Sequence, residues 1–175
     1  MKAVVLIITA ILGAAQQGDG IIRLKPSDFR QLPSPVRRNL NARGCTVPQY
    51  PQAAAPHNVI TGSFTARGSR DWAVLCSVKG VSRILVYRGG STKRVDSLAV
   101  LPDAQFMQRT SSGVVEFSRR IGTATPKNII DHAAANGIPK PPKLAYDGID
   151  DWHVEKASTL LYFYRGKWRE QQPAN

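Results

Sequence analysis

The sequence is poor in cysteine, histidine, aromatic residues and acid, and each shortage excludes something. Two cysteines among 175 residues exclude a disulfide-dense miniprotein and an all-cysteine zinc site. Three histidines, His57, His132 and His153, fall at no HxxxH or HExxH spacing. No G-x-S-x-G nucleophile elbow is present. Beyond residue 12 no apolar run approaches the roughly 20 residues needed to cross a bilayer. With 42% hydrophobic and 21% charged residues, the chain is not of disordered composition. Its length suits one domain, with room for an arm, and is enough to bury a core.

What is present begins at the N-terminus. Residues 1–15 read MKAVVLIITAILGAA, with Lys2, an apolar run and then small residues at Gly13 and Ala15. This is the pattern of a secretory signal peptide, and cleavage is expected after Ala15. The apolar core is too short for a membrane anchor. A mature chain from Gln16 is therefore expected in a periplasm or outside the cell. In such an oxidising compartment Cys45 and Cys76 are expected to pair, closing a loop of about 30 residues. The alternative is a catalytic thiol, but Cys76 ends the apolar run WAVLC, a poor setting for a thiolate.

The mature chain divides in texture. Residues 16–58 form a Pro- and Arg-rich arm holding one helix, with Ser34 as cap, Pro35 at its first position, Val36 and Leu40 on one face and Gly44 as stop. A helical turn is expected before Pro33, and residues 50–57 (YPQAAAPH) read as a linker. Residues 59–175 are β-rich. Short β-type runs at 59–64, 71–77, 81–87, 95–101 and 114–118 are separated by turn clusters. A helix is expected from Thr125-Pro126 to Asn136-Gly137, a stiff connector at 138–143, a strong strand at 158–165 and a closing strand at 168–170. The fold expected is mainly β (α+β): a small antiparallel sheet domain of hairpins with two short helices.

Two stretches resemble each other. Asp71-Trp72 leads to Tyr87-Arg88-Gly89, and Asp151-Trp152 leads to Tyr164-Arg165-Gly166. Two hairpins of one design, or chance, account for this equally simply.

Residues 60–90 (ITGSFTARGSRDWAVLCSVKGVSRILVYRGG) carry Gly62, Phe64, Gly68 and Asp71 followed by two apolar strands. This resembles one FG-GAP or VCBS-type propeller hairpin. The resemblance implies a β-hairpin unit of a blade. Calcium-loading turns of that family hold several Asp or Asn, whereas this turn holds Arg67 and Arg70, so the resemblance does not carry calcium to it. Residues 147–168 are similar to the ends of exported bacterial proteins of no assigned activity, which implies a family without a function.

Asp147, Asp150 and Asp151 form the one acidic cluster. Around Gly148 they could hold a hard cation such as calcium, or they make an Asp-Gly turn with solvated acids; no other cofactor is expected. A serine hydrolase built on His132 or His153 lacks converging groups in sequence. Tyr162 and Tyr164 share one face of the strong strand with Leu160, while Leu161 and Phe163 share the other, as on a central strand buried on both sides.

Charge is the more informative pattern. Residues 16–120 hold 16 Lys+Arg and 6 Asp+Glu, and 13 of those 16 are arginine. Arginine binds phosphate, sulfate and carboxylate through two parallel hydrogen bonds. Arg67, Arg70, Trp72, Arg88, Arg119 and Arg120 lie on turns or strand ends and are the candidate binding residues. The leading expectation is an exported, non-enzymatic module that binds an anionic envelope or extracellular polymer, or an acidic protein, through a basic face. No sequence-specific nucleic-acid signature is visible. The second expectation is a structural or inhibitor-like interaction protein recognised by shape, and the third is a small envelope hydrolase.

Overall fold

The computed structural model describes residues 20–53 and 56–172. The expected leader at 1–15 lies outside the described residues. Among the described residues, twelve strands form four antiparallel sheets accompanied by two α-helices, so the chain is mainly β. Among the described residues, no helix is long and apolar enough to cross a membrane.

Two four-stranded meanders dominate. The first runs β3 (Val59–Gly62), β4 (Asp71–Val78), β5 (Val81–Tyr87) and β6 (Val95–Pro102) in sequence order. The second runs β9 (Arg119–Ala124), β10 (Gly148–His153), β11 (Ala157–Tyr164) and β12 (Lys167–Gln171). Two small pairs complete the set: β1 (Arg23–Leu24) with β2 (Val47–Pro48), and β7 (Met107–Arg109) with β8 (Val115–Phe117).

Side-chain alternation assigns each meander two apolar faces. Ala73 and Leu75 of β4, with Ile84 and Val86 of β5, meet Ile121, Ile149 and Leu161 of the second meander in one core. The opposite face of the first meander, including Trp72, Val74, Leu85 and Tyr87, is covered by Phe29, Leu32, Val36 and Leu40 from the arm. The opposite face of the second meander, including Ala124 and Leu160, is covered by Ile129 and Leu144. The layers therefore run arm helix, sheet, sheet, helix. The arm is thus one layer of the core. It is fastened by the Cys45–Cys76 disulfide, whose Cα atoms are 5.4 Å apart.

The first helix, α1 (Ser34–Ala42), starts one residue earlier than Ser34 capping would give. Pro33 is the cap, Ser34 is the first helical residue, and the Ser34 hydroxyl instead accepts from Arg37. The second, α2 (Pro126–Ala135), has a capping box: the Thr125 hydroxyl accepts from the Asn128 N–H, and the Asn128 side chain accepts from the Thr125 N–H. Its apolar Ile129 and Ala133 face the second meander. Tyr162 and Tyr164 pack on that same side, around Leu160, while Leu161 and Phe163 face the inter-sheet core. With β10 on one side and β12 on the other, β11 is the two-sided central strand its sequence suggests.

The stretch read as a linker is pinned at its two ends. Gln49, buried, accepts from the His57 N–H at 2.9 Å and donates to the His57 carbonyl at 3.0 Å. The Tyr50 N–H donates to His57 Nε2 at 2.9 Å. Asn58 follows, wholly buried at φ 69°. Its amide donates to the carbonyls of Pro48 and Arg119 and accepts from the Ile121 N–H. One asparagine side chain thus ties the arm to β9, and its short side chain tolerates the left-handed backbone.

The two Asp-Trp stretches are not equivalent. In the first meander Trp72 pairs with Tyr87 at the open end of the β4–β5 hairpin. In the second, Trp152 pairs with Ser158 near the β10–β11 turn, and Tyr164 pairs with Lys167 across the next one. The sequence likeness does not correspond to one repeated hairpin register.

Candidate functional site

Three turns meet at one end of the molecule. The β3–β4 turn carries Arg67 and Arg70, the β5–β6 connection carries Lys93 and Arg94, and the β11–β12 turn carries Arg165 and Lys167; all six are exposed. Asp71 joins the first two turns. It is wholly buried. Its Oδ2 accepts from the Thr65 N–H, the Thr65 hydroxyl and the Ser69 hydroxyl, each at 2.8 Å, and its Oδ1 accepts from the Gly89 N–H at 2.8 Å. A carboxylate at this position shapes the arginine-bearing turn from beneath.

Arg88 and Asp96 join the second turn to the third. The Arg88 guanidinium bonds Asp96 Oδ2 through Nε at 2.8 Å and Nη2 at 2.6 Å. The same oxygen accepts from Trp168 Nε1 at 3.1 Å. Arg88 Cζ sits 4.5 Å from the centre of the Phe163 ring, which meets Trp168 edge-on. The foundation of this pole is therefore an ion pair and an aromatic pair bridging the sheets.

The acids of the pole are turned inward. The Asp96 side chain is only 13% exposed, and its Oδ1 lies 3.7 Å from Nε of Arg94, whose side chain is 72% exposed. Asp147 Oδ2 accepts from the Ser63 N–H at 3.1 Å, and its own N–H donates to the Ser63 carbonyl. The groups that reach solvent at the turn tips are therefore mainly cationic.

The six candidate residues do not form one face. Arg67 and Arg70 share the pole. Trp72 is 4% exposed, covered by the Arg70 guanidinium at 5.5 Å from its ring centre and by Gly90, where an added Cβ would come within 3.4 Å of Pro33 and 3.7 Å of Trp72. Trp72 is therefore a packing residue. Arg88 lies at the pole with its guanidinium engaged by Asp96. Arg119 and Arg120 open β9 at the other end of the second meander. Arg119 is not on the surface at all: it is wholly buried and bonded to Asp151, to the Ser82 hydroxyl at 2.8 Å and to the Ala99 carbonyl at 2.8 Å. Arg120 is half-buried, 5.8 Å from the Trp152 ring centre.

The three clustered acids also separate. Asp147 holds the β3–β4 turn, Asp150 accepts from the Ser158 hydroxyl, and Asp151 pairs with Arg119. Strand alternation puts Asp150 and Asp151 on opposite faces of β10. Among the described residues, no group of three or more His, Cys, Asp or Glu side chains converges as metal ligands. The calcium expectation for these three residues is corrected accordingly: each has its own internal partner.

The histidines show no nucleophile relay. His132 Nε2 lies 3.2 Å from the Ser158 carbonyl oxygen. That oxygen can only accept, so Nε2 carries the proton, and the Ser158 hydroxyl is turned to Asp150 instead. A serine nucleophile needs its hydroxyl against the imidazole. His153 faces a cavity of about 320 Å³ whose lining includes Leu101, Phe106, Asp151 and Thr159. Burial first, then the Lys156 charge, lowers the His153 imidazole below its usual pKa, against the opposing pull of Asp151. Behind this cavity, the Asp151 carboxylate is already held by Arg119.

Sequence reasoning points to Arg67 and Arg70 and, around the Gly-Gly turn with Arg88, to Lys93 and Arg94 as basic turns that could sum to one cationic surface, but it misses Arg165 and Lys167. The last pair sits in the turn Arg165-Gly166, far along the chain from the others. Compared with known proteins, the chain matches no family model, no curated protein and no solved structure.

Proposed function

We propose that the protein is an exported, non-enzymatic binding module that takes an anionic polymer on its cationic pole. The observation that supports this is the gathering of Arg67, Arg70, Lys93, Arg94, Arg165 and Lys167 on three adjoining turns, with Asp71 and Asp96 bonded inward beneath them. Short, well-braced turns hold the backbone of these cations in place before a ligand arrives. They suit repeated phosphate, sulfate or carboxylate groups. The apolar leader and the disulfide favour an exported location, where envelope or extracellular polymers are the accessible partners. The hairpin at residues 60–90, with its inward Asp71, serves in this reading as a blade-like unit of FG-GAP type whose turn carries arginine in place of calcium ligands.

The test is binding of the full chain to heparin, lipopolysaccharide and duplex DNA across a salt series. Affinity should fall steeply with salt. For DNA the slope should flatten by about 0.9 for each ionic contact removed. Arg67→Glu with Arg70→Glu should weaken binding, whereas Arg120→Glu at the other end should not. Binding left unchanged by reversal at Arg67 and Arg70 would refute the pole, and absence of binding at physiological salt would refute the polymer.

A further inference from the structure

At the end opposite the basic pole, four elements converge on a polar groove. The arm brings Tyr50 and Gln52, the β7–β8 hairpin brings Gln108, Arg109 and Thr110, β9 brings Arg120, and β10 with the turn after it brings Trp152 and Glu155. The groove consists of two hollows of about 240 and 230 Å³ that share Glu155.

Its floor is aromatic. Trp152 is half-buried, and its ring tip lies over Gly122, where an added Cβ would be 2.7 Å from the ring. Any other residue at position 122 would push the indole away. The Arg120 guanidinium lies 5.8 Å from the ring centre, and its Nε is shut from solvent without a hydrogen-bond partner. An unpaired buried donor of this kind costs free energy until a partner reaches it. Glu155 projects from a backbone at φ 64°. Burial, then the carboxylates of Glu155 and Glu116, raises the Tyr50 phenol above its usual pKa, so it remains a donor.

This chemistry differs from that of the basic pole. A carboxylate stands where the two hollows meet, between Arg109 of one and Arg120 of the other, so the lining is of mixed sign and not the unbroken positive charge that matches a polyanion. An aromatic plate beside amides, hydroxyls, the guanidinium groups of Arg109 and Arg120 and the Glu155 carboxylate offers both the apolar face and the donor–acceptor mixture that a sugar ring presents in return. Each hollow is below the roughly 300 Å³ of a drug-sized pocket, so the groove suits small linked rings.

We infer that this groove is a binding site for a neutral oligosaccharide, with Trp152 under one sugar ring and Glu155 and Arg120 bonding its hydroxyls.

The experiment is calorimetric titration of the full, disulfide-bonded chain with cellotetraose, chitotetraose, mannotetraose and maltotetraose, alongside tryptophan fluorescence. At least one should bind saturably and shift the emission. Glu155→Gln, on an exposed side chain, should weaken that binding about tenfold or more with an unchanged melt and unchanged heparin binding. Trp152→Leu should abolish it where its melt shows a folded chain; if that variant unfolds, Glu155→Gln alone decides. Failure of all four sugars to bind at millimolar concentration overturns the inference, as does binding that Glu155→Gln leaves unaltered. Neither result touches the basic pole, which is read by polyanion binding.

Discussion

Arg119 and Asp151 face each other across β9 and β10, inside the space between the two meanders. Nε of the arginine donates to Oδ1 at 2.9 Å and Nη2 donates to Oδ2 at 2.7 Å. The arginine side chain is 0% exposed and the aspartate 6%. The guanidinium also lies 4.5 Å from the Phe106 ring centre. Its remaining bonds to Ser82 and to the Ala99 carbonyl reach the first meander, so one side chain contacts both sheets.

Removing one partner of such a pair strands a buried charge. Asp151→Asn is expected to destabilise the fold by about 3–5 kcal/mol, whereas Arg119→Met with Asp151→Leu is expected to recover most of that loss. Urea unfolding of the two variants checks both statements. Equal losses in the single and the double variant would mean that the pair stabilises the fold directly, and that the stranded charge is not the main cost.

The same pair shows what a linear reading misses. Val36, Leu40 and Cys45 are legible because helix spacing and a lone cysteine pair are local signals. The first meander is legible because its β-branched runs alternate with Gly-containing turns. β10 is not: GIDDWH reads as an acidic turn, since two adjacent aspartates are unfavourable on a strand. Only the tertiary partners, Arg119 for Asp151 and Ser158 for Asp150, make a strand tolerable there. For the same reason Arg119 reads as a surface cation, when the acid that neutralises it is 32 positions away. The basic pole was half legible, because its two arginines on one turn are visible locally but the approach of the β11–β12 turn depends on the Arg88–Phe163 and Trp168–Asp96 contacts.

Asp71 braces the pole from within. Asp71→Asn keeps the shape but removes the charge and replaces one acceptor oxygen with a donor group. It must lose bonds from Thr65, Ser69 or Gly89. The expected cost is about 2–3 kcal/mol, together with weaker polyanion binding even though the pole gains net positive charge. Binding that strengthens in Asp71→Asn would show that charge, and not the shape of the turn, limits the interaction.

The disulfide fastens the arm layer onto the first meander across a sequence separation of 31 residues. Reduction is expected to cost about 3–4 kcal/mol through the enlarged freedom of the unfolded chain. Val36 and Leu40 remain as apolar anchors of the arm, both 0% exposed, so the reduced protein should still fold. Denaturant unfolding with and without reductant, read by far-ultraviolet circular dichroism, measures the difference. A reduced chain that is unfolded without denaturant would mean that the arm layer contributes too little apolar burial to hold itself.

His153 makes stability depend on pH in a defined direction. Its ring stands 5.3 Å from that of Phe106, its strand partner is Arg119, and Lys156 and Asp151 are its other charged neighbours. Burial and the Lys156 charge hold its pKa below the ordinary 6.5. As pH falls through that ordinary value, the unfolded chain takes up a proton that the folded chain still refuses. Stability therefore drops on acidification in this window. Asp150 acts oppositely and lower on the scale. Burial raises its carboxyl above 3.8, so the folded chain takes that proton first, and the relative gain is present below 3.8 and is lost as pH rises through the folded value. His153→Gln should flatten the loss of stability between pH 7 and pH 5 and leave the behaviour near pH 4 intact. Urea midpoints measured at half-unit intervals would show it, and an unchanged slope in the variant would assign the acid sensitivity to another group.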